Sequence, residues 1–371
     1  MALFKKKVKT DEDYFLASQW TLMGRKLVKH KLAVFSMWLL GILYFCALFA
    51  NFLAPYGLEE YDSVYKNAAP TKVRFVHEGE FIGPYVYKVE WVKNKKTFKT
   101  EFKEITDQPY KIKLFEKGCE YKLFGLFKTD IHLFGVEGDE GAKVMLMGAD
   151  SMGRDLFSRI LIGSQVSLTI PFASTAISFV LGVLLGGISG YFGGFIDNVI
   201  QRIIEVLSAL PTIPLWMALS AAIPADIPVV RMYLYITVII SFISWTGLAR
   251  VVRGKFISLR KEDFVMAARL AGVSDFKIIL KHLVPGFMSY LIVNLTLGIP
   301  SMIIGETSMS FLGLGMRAPA TSWGVLLKET QDITSLAQYP WRLIPLIAVI
   351  VTVLAFNFLG DGLRDAADPY K

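Results

Sequence analysis

Six stretches of apolar residues constrain this chain more than any other feature. They lie at about 32–54, 165–191, 196–223, 232–250, 286–313 and 340–360. A helix needs roughly 20 apolar residues to cross the hydrocarbon core of a bilayer. Inside that core every backbone polar group must be satisfied within the protein, which favours helices. The expected fold is therefore an all-α polytopic membrane protein with six transmembrane helices. Composition agrees, because 53% of the 371 residues are hydrophobic and only 19% are charged, against about 25% in a soluble domain. The net charge of +8 belongs to Lys and Arg beside the apolar runs. That placement suits anionic lipid and argues against nucleic-acid binding. The first run starts near Lys31, too late and too long for a cleavable signal, so it is expected to stay as an anchor.

Charge sets the orientation. In residues 1–31, Lys5, Lys6, Lys7, Lys9, Arg25, Lys26, Lys29 and Lys31 outnumber Asp11, Glu12 and Asp13, which places this tail in the cytoplasm. Six crossings return the C-terminus to the same side, together with the basic loop 250–285. Residues 55–143 differ from the rest. Tyr85–Trp91, Phe98–Phe102 and Tyr110–Leu114 alternate with period two and are rich in aromatic and β-branched residues, the pattern of short strands. They predict a small β-rich extracytoplasmic insert between the first span, 32–54, and a membrane core at 144–371.

Several features inside the runs stand out. Gly182, Gly186 and Gly190 recur every four residues, a spacing that lets helices approach closely. Pro211 and Pro214 interrupt the third run, and Gly298 with Pro300 the fifth. Broken spans of this kind are tolerated where protein or a water-lined cavity satisfies the freed backbone. Glu205 and Glu306 are acids within apolar runs. A charge at the bilayer centre costs about 2.5–3.5 kcal/mol on insertion scales, so each needs a partner or water. A gate or pathway role and a helix-to-helix hydrogen bond both fit.

Enzyme signatures are missing. The chain has no G-x-x-x-x-G-K-[ST] phosphate loop and no G-x-S-x-G elbow. Its four histidines, His30, His77, His132 and His282, lack metal-ligand spacing.

The stretch Leu259–Pro285 reads as two short amphipathic helices hinged at Gly272. Phe264, Ala267, Ala268 and Ala271 share one helical face. Ser274 stands where a second helix would be capped, and Phe276, Ile279, Leu280 and Leu283 repeat the spacing. A stand-alone channel or secondary transporter would leave such a helix pair without a role.

Ala267-Ala268, Gly272, His282 and Val284-Pro285 resemble the EAA loop of ABC importer permeases, with Met266 where many members carry Glu. Further segments resemble the C-type permease of the oligopeptide, dipeptide and nickel importers. These are Gly148-Ala-Asp150 with Gly153-Arg154-Asp155 and Ser158-Arg159, and Gly190–Gly194 with Asp197 and Arg202. They continue in Glu306–Gly315, Trp341-Arg342, and Gly360–Asp365 with Asp368-Pro369. The resemblance implies a type I importer core in a bacterial or archaeal cytoplasmic membrane. Its partners would be a B-type permease, two cytoplasmic ABC ATPases that bind ATP and Mg, and an extracytoplasmic substrate-binding protein. This chain itself would hold no cofactor. Coupling to the ATPases would fall to Phe264, Met266, Ala267, Ala268, Gly272, His282 and Pro285. Glu306, Glu205, Pro211 and Pro300 are the pathway or gate candidates. Oligopeptides are the expected cargo, with oligosaccharides or nickel chelates as alternatives.

Overall fold

The chain follows its apolar runs into long helices. The computed structural model describes residues 18–93, 100–138, 141–224, 227–317 and 319–368. The basic and acidic residues from Lys5 to Asp13, residue Phe98 and Pro369 fall outside them. The chain enters through α1 (Gln19–Lys29), turns at His30 into α2 (Lys31–Leu48), and continues in the short α3 (Ala50–Leu53). Six strands follow: β1 (Arg74–His77), β2 (Glu80–Lys93), β3 (Thr100–Leu114), β4 (Lys117–Leu123), β5 (Phe127–Ile131) and β6 (Phe134–Val136). The remainder is helical: α4 (Leu156–Phe192), α5 (Gly194–Ala209), α6 (Thr212–Ala221), α7 (Val229–Leu259), α8 (Asp263–Leu270), α9 (Asp275–Ile278), α10 (Met288–Phe311), α11 (Trp323–Lys328), α12 (Ile333–Gln338) and α13 (Ile344–Ala367). Among the described residues, five helical segments are long and apolar enough to cross a membrane. The number is six if the bent pair α5–α6 counts as one.

Small residues make the central contact. A Cβ on Gly190 would stand 2.6 Å from the Arg253 carbonyl oxygen, and Gly186 meets the backbone of Ala249. Only glycine permits this approach of α4 to α7. Ser174 Oγ donates to the Thr237 carbonyl at 3.2 Å and Ser178 Oγ to that of Ser241 at 3.3 Å. Both pairs are 63 residues apart, so α4 and α7 run parallel. Close backbones and hydroxyl bonds are the usual means of holding helices together where burial from water adds little. On the other side α13 packs between α2 and α10. Near its end Lys26 Nζ donates to the Asp368 carbonyl at 2.8 Å, joining α1 to the close of α13.

Of the two expected breaks, one is present and one is corrected. The third run is interrupted, because α5 and α6 meet at 90° at Leu210–Pro211. Pro211 precedes the first turn of α6, where a missing N–H costs nothing. The fifth run is not broken, since α10 passes through Pro300 without interruption. Pro300 is buried, with α4 and α13 packed on its helix, and such neighbours let a membrane helix keep a proline. The second span also begins earlier than its apolar stretch, at Leu156.

The strands form an antiparallel sheet in the order β1-β2-β3-β6, with β4–β5 as a separate hairpin. Tyr85, Val86 and Tyr87 are buried in succession, so the middle of β2 is covered on both faces. The register shifts after Tyr87, which lies opposite Pro109. A proline cannot donate to the ladder and is tolerated at such an irregularity.

Candidate functional site

Gly272 closes α8 in a left-handed conformation, φ +74°. The Gly272 N–H donates to the Arg269 carbonyl at 2.9 Å and the Val273 N–H to that of Ala268 at 3.1 Å. This pair of bonds is the Schellman closure, and glycine suits the position best. Val265, Ile278, Leu283 and Phe287 turn inward onto Val252, Phe256 and Tyr191. The opposite face is open. Phe264, Met266, Ala267, Ala271 and Gly272 are exposed, with Leu270 88% and Phe276 66% exposed. Ala268 is half-buried, while His282 and Pro285 are exposed.

The second helix departs from its expected pattern. Phe276 and Leu280 face outward, and Ile278 is the buried residue. Residues Ile279–Leu283 form a π-turn, which inserts one extra residue. The inward positions then run 278, 283, 287 and 291, with a step of five where a regular helix has three or four. Ser274 occupies the N-cap position, but its hydroxyl makes no capping bond.

Three side chains fasten this helix pair to the C-terminal end of α4. Tyr191 is buried, and its hydroxyl donates to Asp275 Oδ1 at 2.5 Å. Arg269 Nε donates to the same hydroxyl at 3.1 Å, with its guanidinium 4.8 Å from the ring centroid. Arg260, just past α7, donates to the Gly190 and Tyr191 carbonyls, each at 3.1 Å. Beside this junction lies a cavity of about 470 Å³ lined by Tyr191, Arg260, Met266 and Arg269. Behind it Arg253 grips Asp197 with two bonds of 2.5 Å. Reading the loop alone missed Tyr191 and Arg269, because they meet across 78 residues. The tyrosine within the Gly190–Gly194 segment was the available signal.

The acids separate. Glu306 is fully buried, accepting from Ser310 Oγ at 2.7 Å and Ser167 Oγ at 3.4 Å. Ser167 in turn accepts from the Trp323 N–H at 2.9 Å. The carboxyl thus joins α4, α10 and α11. Glu205 lies on the exposed face of α5 and pairs with Arg202 one turn away at 2.5 Å. Both of those side chains are largely exposed on the chain, so Glu205 has the partner its place in an apolar run calls for, without the burial of Glu306. Among the described residues, Glu306, Glu205, Pro211 and Pro300 line none of the cavities of about 990, 1210 and 470 Å³.

The N-terminal end of α4 carries the densest charge. Asp150 and Arg159 are 1% and 4% exposed and bonded to one another. Arg154 Nε reaches Asp150 Oδ2 at 2.7 Å, and both arginines reach Glu329 Oε1 near 3 Å. The cluster clamps α4 to the end of α11. Asp155 caps α4 through bonds from Ser158 N at 2.7 Å and Oγ at 2.6 Å. Burial pushes its carboxyl up from 3.8 to about 6, with those bonds opposing the shift.

Residues 182–370 match the family described as the binding-protein-dependent transport system inner membrane component. The chain belongs to this family of transport permeases. Residues 18–70 of the permease match the N-terminal transmembrane domain of oligopeptide transport permease C. Neither segment includes 71–143, where the strands lie. The permease is 40% identical over 222 residues to the glutathione transport system permease protein GsiD of Escherichia coli O1:K1 / APEC, covering 60% of this chain and 71% of that protein. It is 41% identical over the same length, with the same coverage, to GsiD of Shigella boydii serotype 4 (strain Sb227). An inward-facing form of the MetNI methionine ABC transporter superposes with TM-score 0.43 at 18% identity, over 56% of this chain and 96% of that one. The permease is a transport subunit of an ABC importer, embedded in a membrane, and not an enzyme.

Proposed function

We propose that α8 and α9 are the contact through which a cytoplasmic ABC ATPase drives this permease, and that the cargo is a peptide. One observation carries the reading. An exposed apolar ridge of Phe264, Met266, Leu270 and Phe276 stands on a helix pair bonded to the ends of α4 and α7. A surface of this kind suits a partner groove, and its rear bonds give motion there a route into the membrane helices. The partner ATPases hold ATP and Mg. A B-type permease supplies the other half of the pathway, and a substrate-binding protein delivers the cargo from outside.

The topology supports this placement. Parallel α4 and α7 favour a return crossing between them, and the bent pair α5–α6 is long and apolar enough to supply it as a sixth crossing. Both chain ends and the helix pair then share the cytoplasmic side, and the strands lie outside. A cavity of about 990 Å³ opens there between the strands and the membrane helices, lined by Glu60, Lys143, Gln165 and Pro319 among others. It is a place where delivered cargo first meets the permease. The glutathione permeases among the relatives favour a short peptide over an oligosaccharide or a nickel chelate.

The test is Gly272→Trp. No atom lies within 4 Å of a Cβ built there, so the ring has room to project outward, although any side chain at φ +74° is itself strained. The complex is expected to assemble and hydrolyse ATP, with transport lost. Normal transport by an assembled variant refutes the assignment.

A further inference from the structure

The β4–β5 hairpin carries its apolar residues at the wrong place for a soluble insert. Its tip is Leu123-Phe124-Gly125-Leu126-Phe127. The Leu126 N–H returns to the Leu123 carbonyl at 3.1 Å, and φ is +53° at Phe124 and +73° at Gly125. Positive φ at both central residues is the type I′ turn, which favours Asn-Gly. A phenylalanine in the left-handed region is strained by about 1–2 kcal/mol. Strain kept at an exposed position points to function. Phe124, Leu126 and Phe127 are 47%, 77% and 66% exposed, and Phe115, also at positive φ, is exposed on the same side of the insert.

The hairpin is continuous with a membrane-spanning surface. Phe45 and Leu48 are exposed on the last turns of α2. The Phe45 ring lies 4.7 Å from that of Phe49, and Phe49 lies 5.3 Å from Phe124. Phe52 faces Phe115 at 6.2 Å. The base of the hairpin meets the chain farther on, where His132 bonds the Ala54 carbonyl at 2.5 Å. From base to tip the hairpin therefore runs back along α3 toward the span. One rung above the tip, Lys122 and Lys128 are direct cross-strand partners. Like charges in such a pair repel unless an anion lies between them.

We propose that this hairpin is a membrane-interface anchor. The tip sits at the edge of the acyl chains beside α2, and Lys122 with Lys128 binds lipid phosphate. Aromatic residues are enriched at that depth, and lysines near it gain from anionic headgroups. The anchor fixes the insert at a set height over the outer leaflet. It depends on the strands lying outside the membrane, but not on the peptide cargo or on the ATPase contact.

The experiment uses the full chain with its partner subunits in nanodiscs of phosphatidylethanolamine and a minor share of phosphatidylglycerol. The native Cys46 and Cys119 are replaced by alanine, and a bimane label is placed by Leu126→Cys or, on the sheet, Phe81→Cys. The label at 126 is expected to be quenched several-fold more by headgroup-proximal doxyl lipid than by iodide, and the label at 81 the reverse. Equal iodide quenching at both positions overturns the anchor. Shielding of 126 from both quenchers also overturns it, because it assigns the tip to a protein partner. Phe124→Asn separates anchor from turn. Asn relieves the strained turn, so a purely structural tip keeps its place and its lipid quenching, which counts against the proposal. An anchor loses lipid quenching at 126 and gains quenching by iodide.

Discussion

At its N-terminal end α4 is held by two carboxylates and two guanidiniums, and Asp150 and Arg159 are almost wholly buried there. At its C-terminal end it is held by one phenol, two arginines, one of them stacked, and an exposed aspartate. The first arrangement breaks only at high cost, since removing one member strands a buried charge. The second consists of bonds at the edge of the fold, each worth little and each replaceable by water. A helix fastened this way has one fixed end and one end free to follow its neighbour. The fixed end ties α4 to α11 within the permease, whereas the free end is tied to the pair that carries the exposed ridge.

This contrast breaks most readily at the charged end. Asp150→Ala is expected to cost about 3–5 kcal/mol and to abolish assembly, seen as lost yield and a lowered Tm. At the other end Tyr191→Phe keeps the ring and removes one hydroxyl, for about 0.5–1.5 kcal/mol. It should leave assembly intact and lower the cargo moved per ATP hydrolysed. If Tyr191→Phe impairs folding as severely as Asp150→Ala, the two ends are equivalent and the contrast fails. Glu306→Gln retains an acceptor for Ser310 Oγ, and we expect transport close to that of the unaltered protein. A large loss of transport with normal assembly would make Glu306 a gate rather than a link.

A pH-dependent effect concerns Asp155. Its folded pKa is raised from 3.8 to about 6, so the folded state holds the proton more tightly than the unfolded chain. Its contribution to stability is full below pH 3.8 and is lost as pH rises through about 6. Thermal unfolding of Asp155→Asn between those values should show a shallower pH dependence than the unaltered chain.

Much of this was legible in the sequence. The apolar runs became long helices, and the four-residue glycine spacing became the α4–α7 seam, because both patterns depend on local geometry alone. The helix–glycine–helix reading of 259–285 held at Gly272, where a single φ decides the turn. What escaped depended on neighbours. The π-turn after Ile278 changed which residues face inward, and no local propensity marks it. Pro300 was expected to break α10, but packing on both sides keeps the helix whole. Glu205 and Glu306 read alike as acids in apolar runs, yet only Glu306 is buried, while Glu205 pairs with Arg202 at the surface of the chain. Tyr191 and Asp275 lie 84 residues apart, beyond the reach of any spacing rule.

The parallel seam has a mechanical consequence. With 37 residues, α4 is about 55 Å long at about 1.5 Å per residue. Hydroxyl-to-carbonyl bonds and close glycine contacts join α4 and α7 along their shared length, so the two are expected to move as one beam. Under the proposed coupling, the buried charge cluster at 150–159 is its fulcrum and Tyr191 the point where force is applied. A displacement of an ångström or two at the tyrosine then tilts the whole beam by only a degree or two, and every residue between moves in proportion to its distance from the charges.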